Sequence, residues 1–314
     1  MTYYVSRIVQ HGPVVKEFCI RKQDDSALTP WEAGAHVRLS FCLKNGEPIE
    51  RHYSLVGEPG VCDEYRIAVL NEIHGTGGSA HLHANVQVGD LLTLSGPFNS
   101  FPMQATTGRT ILIAGGIGIT PLVSMAHVLA HADGQCEMHY LARSQDRLVL
   151  IDEVRAALPG KIFVHLTGKD RARVKLHHLL GTYSPGSTIY ACGPNSLLHD
   201  VEDAARLLGW PHHALHFESF GARSAQSDKP VLVHLALSDM TLEVFPGSSI
   251  LDAMIKADVF VSYECKRGEC ANCFAQVIDG VPLHRDVCLS EQQRNVGMCT
   301  CVSWASSQNL TLEL

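Results

Sequence analysis

The chain has 314 residues, 46% of them hydrophobic and 18% charged, with a net charge of −7. That length fits two or three domains with packed cores, and the acidic balance argues against nucleic acid as the main partner. Eleven cysteines are too sparse for a secreted disulfide scaffold and point to a reducing, cytoplasmic setting. The amino end MTYYVSRIVQHG has neither the basic start nor the long apolar stretch expected of a signal peptide.

Residues 1–104 read as mostly strand. VSRIVQHG, VVKEFCIRK, HVRLSFCL, EYRIAVL and LLTLSGP are short, rich in β-branched residues and separated by turn formers, which predicts an antiparallel barrel. Within it, Arg51-His52-Tyr53-Ser54 alternates Arg51 and Tyr53 against His52 and Ser54. Gly75-Thr76-Gly77-Gly78-Ser79 opens a predicted short helix, and glycines before a helix start expose N–H groups to an anion. Taken singly, a strand and a glycine turn are ordinary local structure.

Residues 105–222 alternate strand and helix. TILIAG, CEMHYLA, KIFVHLT, STIYAC and HALHFE predict a parallel sheet with helices on its faces, whose strands would meet a nucleotide at their carboxyl ends. Thr110 to Ala132 carries no charged residue and is long enough to span a bilayer. Its Gly-Gly-Ile-Gly and Thr-Pro breaks, with His127 and His131, fit a buried strand, turn and helix better, so no membrane partner is expected. The turn Gly115-Gly116-Ile117-Gly118-Ile119-Thr120-Pro121 is not the GxGxxG fingerprint, and alone it stands between a pyrophosphate site and a packing turn.

Residues 223–229 have linker composition. In 230–314, VLVHLAL and TLEVF form a predicted hairpin, Ser248-Ser249 can cap the helix ILDAMIKA, and LTLEL closes the chain. Together they predict a β-grasp, α+β domain. Cys265, Cys270 and Cys273 leave gaps of four and two residues, and Cys301 returns much later, the C-x4-C-x2-C…C pattern of a plant-type [2Fe–2S] site. Gly268 lets the loop turn its N–H groups toward such a cluster. A zinc site or unrelated core thiols are the alternatives, but zinc usually takes two short knuckles. Cys299 competes with Cys301 for the distal place, and Cys288 reads as a small core hydrophobe. None of the eighteen histidines has the spacing of a zinc helix motif.

These motifs, in this order, resemble the phthalate dioxygenase reductase family of the ferredoxin reductase superfamily. The resemblance implies three domains: an antiparallel β-barrel for FMN, an α/β parallel-sheet domain for NAD(P)H, and a β-grasp ferredoxin. It assigns Arg51, His52, Tyr53, Ser54, Gly77, Gly78 and Ser79 to the flavin. Thr76 departs from the Arg that relatives often carry. Gly96 to Pro102 looks like the barrel exit. Gly116, Gly118, Thr120 and Pro121 fall to the pyrophosphate, Arg143 and Ser144 to the adenosine ribose, and Cys192, Gly193 and Pro194 to the nicotinamide. Phe220 would lie near the flavin, and Ser54, Cys192 and Glu218 near the hydride path. Met298-Cys299-Thr300-Cys301-Val302-Ser303 looks like Met-Leu-Thr-Cys-Val-Ser, which makes Cys265, Cys270, Cys273 and Cys301 the metal ligands.

The implied function is that of an NAD(P)H-dependent oxidoreductase, with NADH favoured and NADPH possible. It would serve a terminal Rieske oxygenase that docks near the Cys265–Cys273 loop, at Lys266, Arg267 and Glu269. A stand-alone reductase of small acceptors, or a non-enzymatic [2Fe–2S] carrier, are the alternatives.

Overall fold

The computed structural model describes residues 2–44, 46, 48–60, 62–73, 77–132, 134–168, 174–220 and 228–314. Gly75 and Thr76 of the glycine turn, and 223–227 of the expected linker, lie outside them. Two compact units emerge. The first comprises Met1–Gly193 with Asp200–His216, and the second Pro194–His199 with Phe217–Leu314.

The first unit begins with the strands β1 (Thr2–His11), β2 (Val15–Lys22), β3 (His36–Cys42), β4 (Pro48–Ser54) and β5 (Tyr65–Leu70), then the helix α1 (Gly78–Asn85) and β6 (Leu91–Phe98). They form one antiparallel sheet in the order β4-β3-β6-β1-β2-β5. An isolated Leu55–Ile67 bridge and a 2.9 Å bond from Val56 N to Arg66 O join its two edges, closing the expected barrel. Edge closure removes exposed ladder groups. Val5, Phe18, Ile20, Val37, Leu39 and Ile67 fill its interior.

The same unit continues through β7 (Thr110–Gly115), α2 (Ile119–Ala130), β8 (Cys136–Ala142), α3 (Ile151–Ala157), β9 (Ile162–Leu166), α4 (Leu176–Leu180), β10 (Thr188–Gly193), α5 (Asn195–Leu207, whose first residues belong to the second unit) and β11 (Leu215–Ser219, whose residues from Phe217 on belong to the second unit). The sheet order is β11-β10-β7-β8-β9, and the β10–β7, β7–β8 and β8–β9 pairs are parallel. β7 is buried at every residue, as a central parallel strand covered on both faces must be. Phe101 and Ala33 of the barrel region share its core with Leu122 and Met125 of α2, and Gly34 N donates to Ser124 Oγ at 3.0 Å. No helix among the described residues is long and apolar enough to cross a membrane; the uncharged Thr110–Ala132 run is β7 and α2.

The second unit carries β12 (Val231–Leu235), β13 (Met240–Val244), α6 (Ile250–Lys256), β14 (Phe274–Asp279), β15 (Pro282–Leu283), α7 (Glu291–Arg294), β16 (Gly297–Cys299), β17 (Trp304–Ala305) and β18 (Asn309–Leu312). Its main sheet runs β13-β12-β18-β14-β16. β12 and β18 are parallel, while β12–β13, β14–β18 and β14–β16 are antiparallel. This mixed sheet with α6 packed on it is the expected β-grasp. Ser249 caps α6, its side chain accepting from Asp252 N at 2.9 Å. Ile250, Leu251 and Met254 are buried against Val233, Leu310 and Trp304.

Candidate functional site

The cysteine loop lies between α6 and β14. Cys265, Cys273 and Cys301 are buried, and Cys270 is half-buried. Backbone N–H groups of Arg267 and Glu269 donate to Cys265 Sγ at 3.3 and 3.5 Å. This wrapping needs unusual backbone. Gly268 has φ +76°, and a Cβ there would meet Val302 Cγ2 at 2.5 Å and Asp286 Cα at 3.0 Å. Lys266 and Ala271 also sit at positive φ, 52° and 60°, without a glycine's freedom, strain of a kind that concentrates at functional loops.

The thiols are mutually connected. Hydrogen bonds from Cys270 and Cys301 hold Cys265 far below the ordinary thiol range, against the opposing effect of burial. Hydrogen bonds from Cys299 and Cys301 bring Cys273 down to about 3. Cys270 and Cys301 shift upward as the partners of Cys265. Four mutually connected sulfurs, with backbone N–H donors on Cys265, fit the chemistry of a [2Fe–2S] site. Cys299 hydrogen-bonds Cys273 as well, so the competitor noted in the sequence is close by.

The three loop residues expected to face a partner do not all do so. Arg267 is 9% exposed, with Nη1 3.2 Å from Glu218 Oε1 and Nη2 2.9 Å from Glu269 Oε2. Glu269 Oε1 accepts from Ser219 N at 2.7 Å. Burial raises the Glu269 carboxyl well above the usual carboxylate range, partly offset by Arg267. Arg267 thus meets two enclosed carboxyl groups, and both it and Glu269 turn inward. Lys266 keeps partial exposure, its Nζ 4.6 Å above the Tyr263 ring and 3.4 Å from Asp252 Oδ1. Charge in a loop suggests a solvated face, and nothing in the local sequence signals the distant Glu218.

In the first unit, β4 carries Arg51 to Ser54 against β3, with Leu39 opposite Arg51 and His36 opposite Ser54. Gly77 caps α1 at φ +87°. A Cβ on Gly78 would lie 3.0 Å from Arg51 Nε, so the arginine and the start of α1 lie side by side. Ser79 Oγ accepts from Glu72 N at 3.0 Å. His52 stacks on His36 at 5.1 Å and 12°. Burial raises the Tyr53 phenol, opposed weakly by Arg51. Among the described residues Ser54 Oγ is buried with no hydrogen-bond partner, an expensive state unless a ligand supplies one. These residues fit a flavin. A cavity of about 410 Å³ beside α1 is lined by Leu43, Lys44, Gly77, Ala80, His81 and Asn85.

The two nucleotide-loop candidates touch. Gly116, at φ +56°, opens a tight turn into α2. A Cβ on Gly118 would overlap the Cys192 carbonyl and lie 2.7 Å from Gly193 N. Thr120 Oγ1 donates to Ile117 O at 3.0 Å, and Pro121 lies in the first turn of α2. Cys192 is fully buried among Leu112, Ala114 and Tyr190, whereas Pro194 is exposed. Arg143 is exposed and Ser144 half-buried at the end of β8, where the Ser144 hydroxyl lowers the Asp146 carboxyl. In the second unit, Glu218 is fully buried on Arg267, and Phe220 is 38% exposed.

Sequence reasoning gave no sign of a second thiol contact, Cys288 Sγ to Cys299 Sγ at 3.7 Å, or of the ionic network in the first unit. There Glu17 Oε1 meets Arg66 Nε at 2.7 Å, and Arg66 Nη2 meets Glu153 Oε2 at 2.7 Å.

Comparison with known proteins agrees with this architecture. Residues 233–306 match the 2Fe-2S iron-sulfur cluster binding domain, and residues 95–215 match the N-terminal domain of the dimethylamine monooxygenase subunit DmmA-like family. The chain is 36% identical to the heme-dependent oxidative N-demethylase beta subunit of Ectopseudomonas mendocina (strain ymp), over 99% of this chain and 97% of that protein. It is 34% identical to the vanillate O-demethylase oxidoreductase of Pseudomonas sp. (strain HR199 / DSM 7063), over 98% and 97%. The solved structure of phthalate dioxygenase reductase superposes with a TM-score of 0.76 at 29% identity, covering 100% of this chain and 98% of that one. The chain belongs to the phthalate dioxygenase reductase-like oxygenase reductases: NAD(P)H-dependent flavin and [2Fe–2S] oxidoreductases that work with an oxygenase subunit.

Proposed function

We propose that this reductase draws electrons from NADH, passes them through FMN to its [2Fe–2S] cluster, and delivers them in the cytoplasm to a terminal oxygenase of the Rieske type. The convergence of the Cys265, Cys270, Cys273 and Cys301 thiols, with two backbone N–H groups on Cys265, supports this reading most directly. Bound FMN would supply the conversion of a two-electron hydride donor into single-electron transfers. The chain's own residues hold and orient. In residues 1–104, Arg51 with Gly77, Gly78 and Ser79 would bind the phosphate at the start of α1, Tyr53 would pack on the isoalloxazine with His52 its neighbour in the flavin site, and Ser54 Oγ would find its missing partner near N5. In 105–222, Gly116, Gly118, Thr120 and Pro121 would shape the pyrophosphate turn, and Arg143 with Ser144 would meet the ribose. Cys192, Gly193 and Pro194 would flank the nicotinamide. Past the linker, 230–314 would form the ferredoxin domain. Glu218 enters this reading through its ion pair with Arg267, and Lys266 marks the side of the loop open to the oxygenase.

Anaerobic titration with NADH and with NADPH, followed in the visible spectrum, tests the assignment. Bleaching of both flavin and cluster bands by NADH at lower concentration supports it. Cluster bands without flavin, or no reduction by either nucleotide, overturn it.

A haem-type oxygenase is the second reading for the partner, favoured by the heme-dependent oxidative N-demethylase relative. Cross-reduction of purified Rieske and haem oxygenase components by the NADH-reduced protein separates the two.

A further inference from the structure

We infer that Cys288 and Cys299 are a peroxide-responsive thiol pair that closes to a reversible disulfide beside the cluster thiols. Their sulfurs lie 3.7 Å apart, so closure to bonding distance needs a movement of about 1.7 Å. Both sides of the contact are held in place. Cys299 ends β16 opposite Phe274, and its carbonyl accepts from Ser303 N at 3.0 Å. Cys288 is flanked by anchors: Asp286 Oδ1 accepts from Ser303 Oγ and Oδ2 from Leu289 N, each at 3.2 Å. Val287 N donates to Gly268 O at 3.0 Å. The loop therefore presents Cys288 to Cys299 through fixed backbone rather than by chance encounter.

A metal is the other chemistry this place suggests, because Asp286, Cys288 and Cys299 bring ligand atoms within 4.8 Å of one another. The Asp286 carboxylate already serves Ser303, Leu289 and Arg294, which leaves the two sulfurs as the reactive pair.

Exposure sets the order of events. Cys299 is fully buried and Cys288 half-buried, so hydrogen peroxide reaches Cys288 first. The Cys288 sulfur attacks one peroxide oxygen, the O–O bond breaks, and a sulfenic acid and one water result. The Cys299 sulfur then attacks the Cys288 sulfur. The S–S bond forms, the S–O bond breaks, and the hydroxide leaves with the Cys299 proton as a second water. Two thiols lose two electrons and two protons, and one peroxide is reduced to two waters. A dithiol reductant returns the pair. Because Cys299 hydrogen-bonds Cys273 in the reduced form, closure draws it away from one of the proposed cluster ligands.

The test uses the cluster-loaded protein treated with hydrogen peroxide under anaerobic conditions, sampled over time by visible spectrum, then denatured with chelator, alkylated and digested. The expected result is loss of two of the eleven cysteines from alkylation, a Cys288–Cys299 cross-linked peptide that appears before the cluster bands fade, and full recovery with dithiothreitol. Cys288→Ser, which retains the cluster spectrum, yields no cross-link to Cys299. The inference is overturned if cross-links join only Cys265, Cys270, Cys273 and Cys301 after bleaching. It is equally overturned if Cys288 advances to sulfinic acid while Cys299 remains alkylatable. These readouts concern peptides and the cluster absorption, and stand apart from which nucleotide or oxygenase the protein uses.

Discussion

The guanidinium of Arg267 lies 3.2 Å from the Glu218 carboxylate, joining the cysteine loop to the end of β11 inside the second unit. Glu218 has no exposed surface and Arg267 very little, so neither can recover its solvation if the other is removed. Glu269 takes the remaining face of the same guanidinium. One guanidinium thus meets both carboxyl groups.

Arg267→Ala is therefore expected to cost about 3–5 kcal/mol, the usual consequence of stranding a buried charge. Denaturant unfolding of the cluster-loaded protein measures it, and earlier loss of the cluster absorption on heating should accompany it. Lysine offers a point charge where two carboxylates need a planar fork, so Arg267→Lys is expected to recover only part of the loss. A change below about 1 kcal/mol in the alanine variant would show that the triad contributes little beyond an exposed ion pair.

Cys301→Ser is expected to abolish or strongly deplete the [2Fe–2S] absorption, and Cys299→Ser to retain it. Both sulfurs hydrogen-bond Cys273, yet only Cys301 also bonds Cys265 and so reaches two members of the quartet. Iron and acid-labile sulfide content of the purified variants decides between them. The opposite pattern would move the distal ligand to Cys299.

What the sequence disclosed and what it hid differ by physical cause. Strands such as TILIAG announced themselves because burial on both faces demands an unbroken apolar run, and the cysteine loop because three ligands from one turn must be close in the chain. The convergence of Arg51 with Gly78 was readable only through resemblance, since β4 and α1 meet across an intervening strand. Glu17 meets Arg66 across 49 residues and Arg66 meets Glu153 across 87, and no local periodicity encodes such pairs. Arg267 misled in the other direction. A charged residue in a loop reads as solvated, and its inward turn depends on Glu218, which the loop itself does not contain.

Ser54→Ala separates ligand contact from packing. The hydroxyl is buried without a partner among the described residues, so its removal from flavin-free protein should leave stability unchanged or slightly raised. In flavin-loaded protein the same change should slow reduction by NADH about tenfold, the equivalent of one hydrogen bond of about 1.4 kcal/mol. Stopped-flow reduction at saturating NADH reads this. Unchanged reduction with lowered stability would assign Ser54 to the barrel alone.

Gly118→Ala tests the contact between the two nucleotide loops. The added methyl group would overlap the Cys192 carbonyl, and neither backbone can retreat easily because β7 and β10 are paired in register up to Ala114 and Cys192. The expected outcome is at least a tenfold rise in the NADH concentration needed for half-maximal reduction, about 1.4 kcal/mol or more, while flavin and cluster spectra persist. Normal NADH dependence would show that the turn only packs.

Glu17 gives the first unit an acid-sensitive joint. Burial alone would raise its carboxyl, but hydrogen bonds from His11 and Arg66 outweigh that and bring it from an ordinary 4.5 down to about 2. A depressed folded-state value means that the unfolded chain binds the proton first. The stabilisation is complete above pH 4.5 and is lost as pH falls from there toward 2. Its size is up to about 3 kcal/mol. Glu153 shifts the same way, lowered by Arg66 and His127 against the opposing effect of its own burial, so the two carboxylates fail together. Urea unfolding followed by tryptophan fluorescence between pH 5 and 3 should show stability declining with acid. Glu17→Gln, which has no proton to gain, should begin less stable at neutral pH and decline less steeply. Parallel slopes for the two proteins would mean that Glu17 titrates alike in the folded and unfolded chain, so that its pairing with Arg66 adds no acid-sensitive stability.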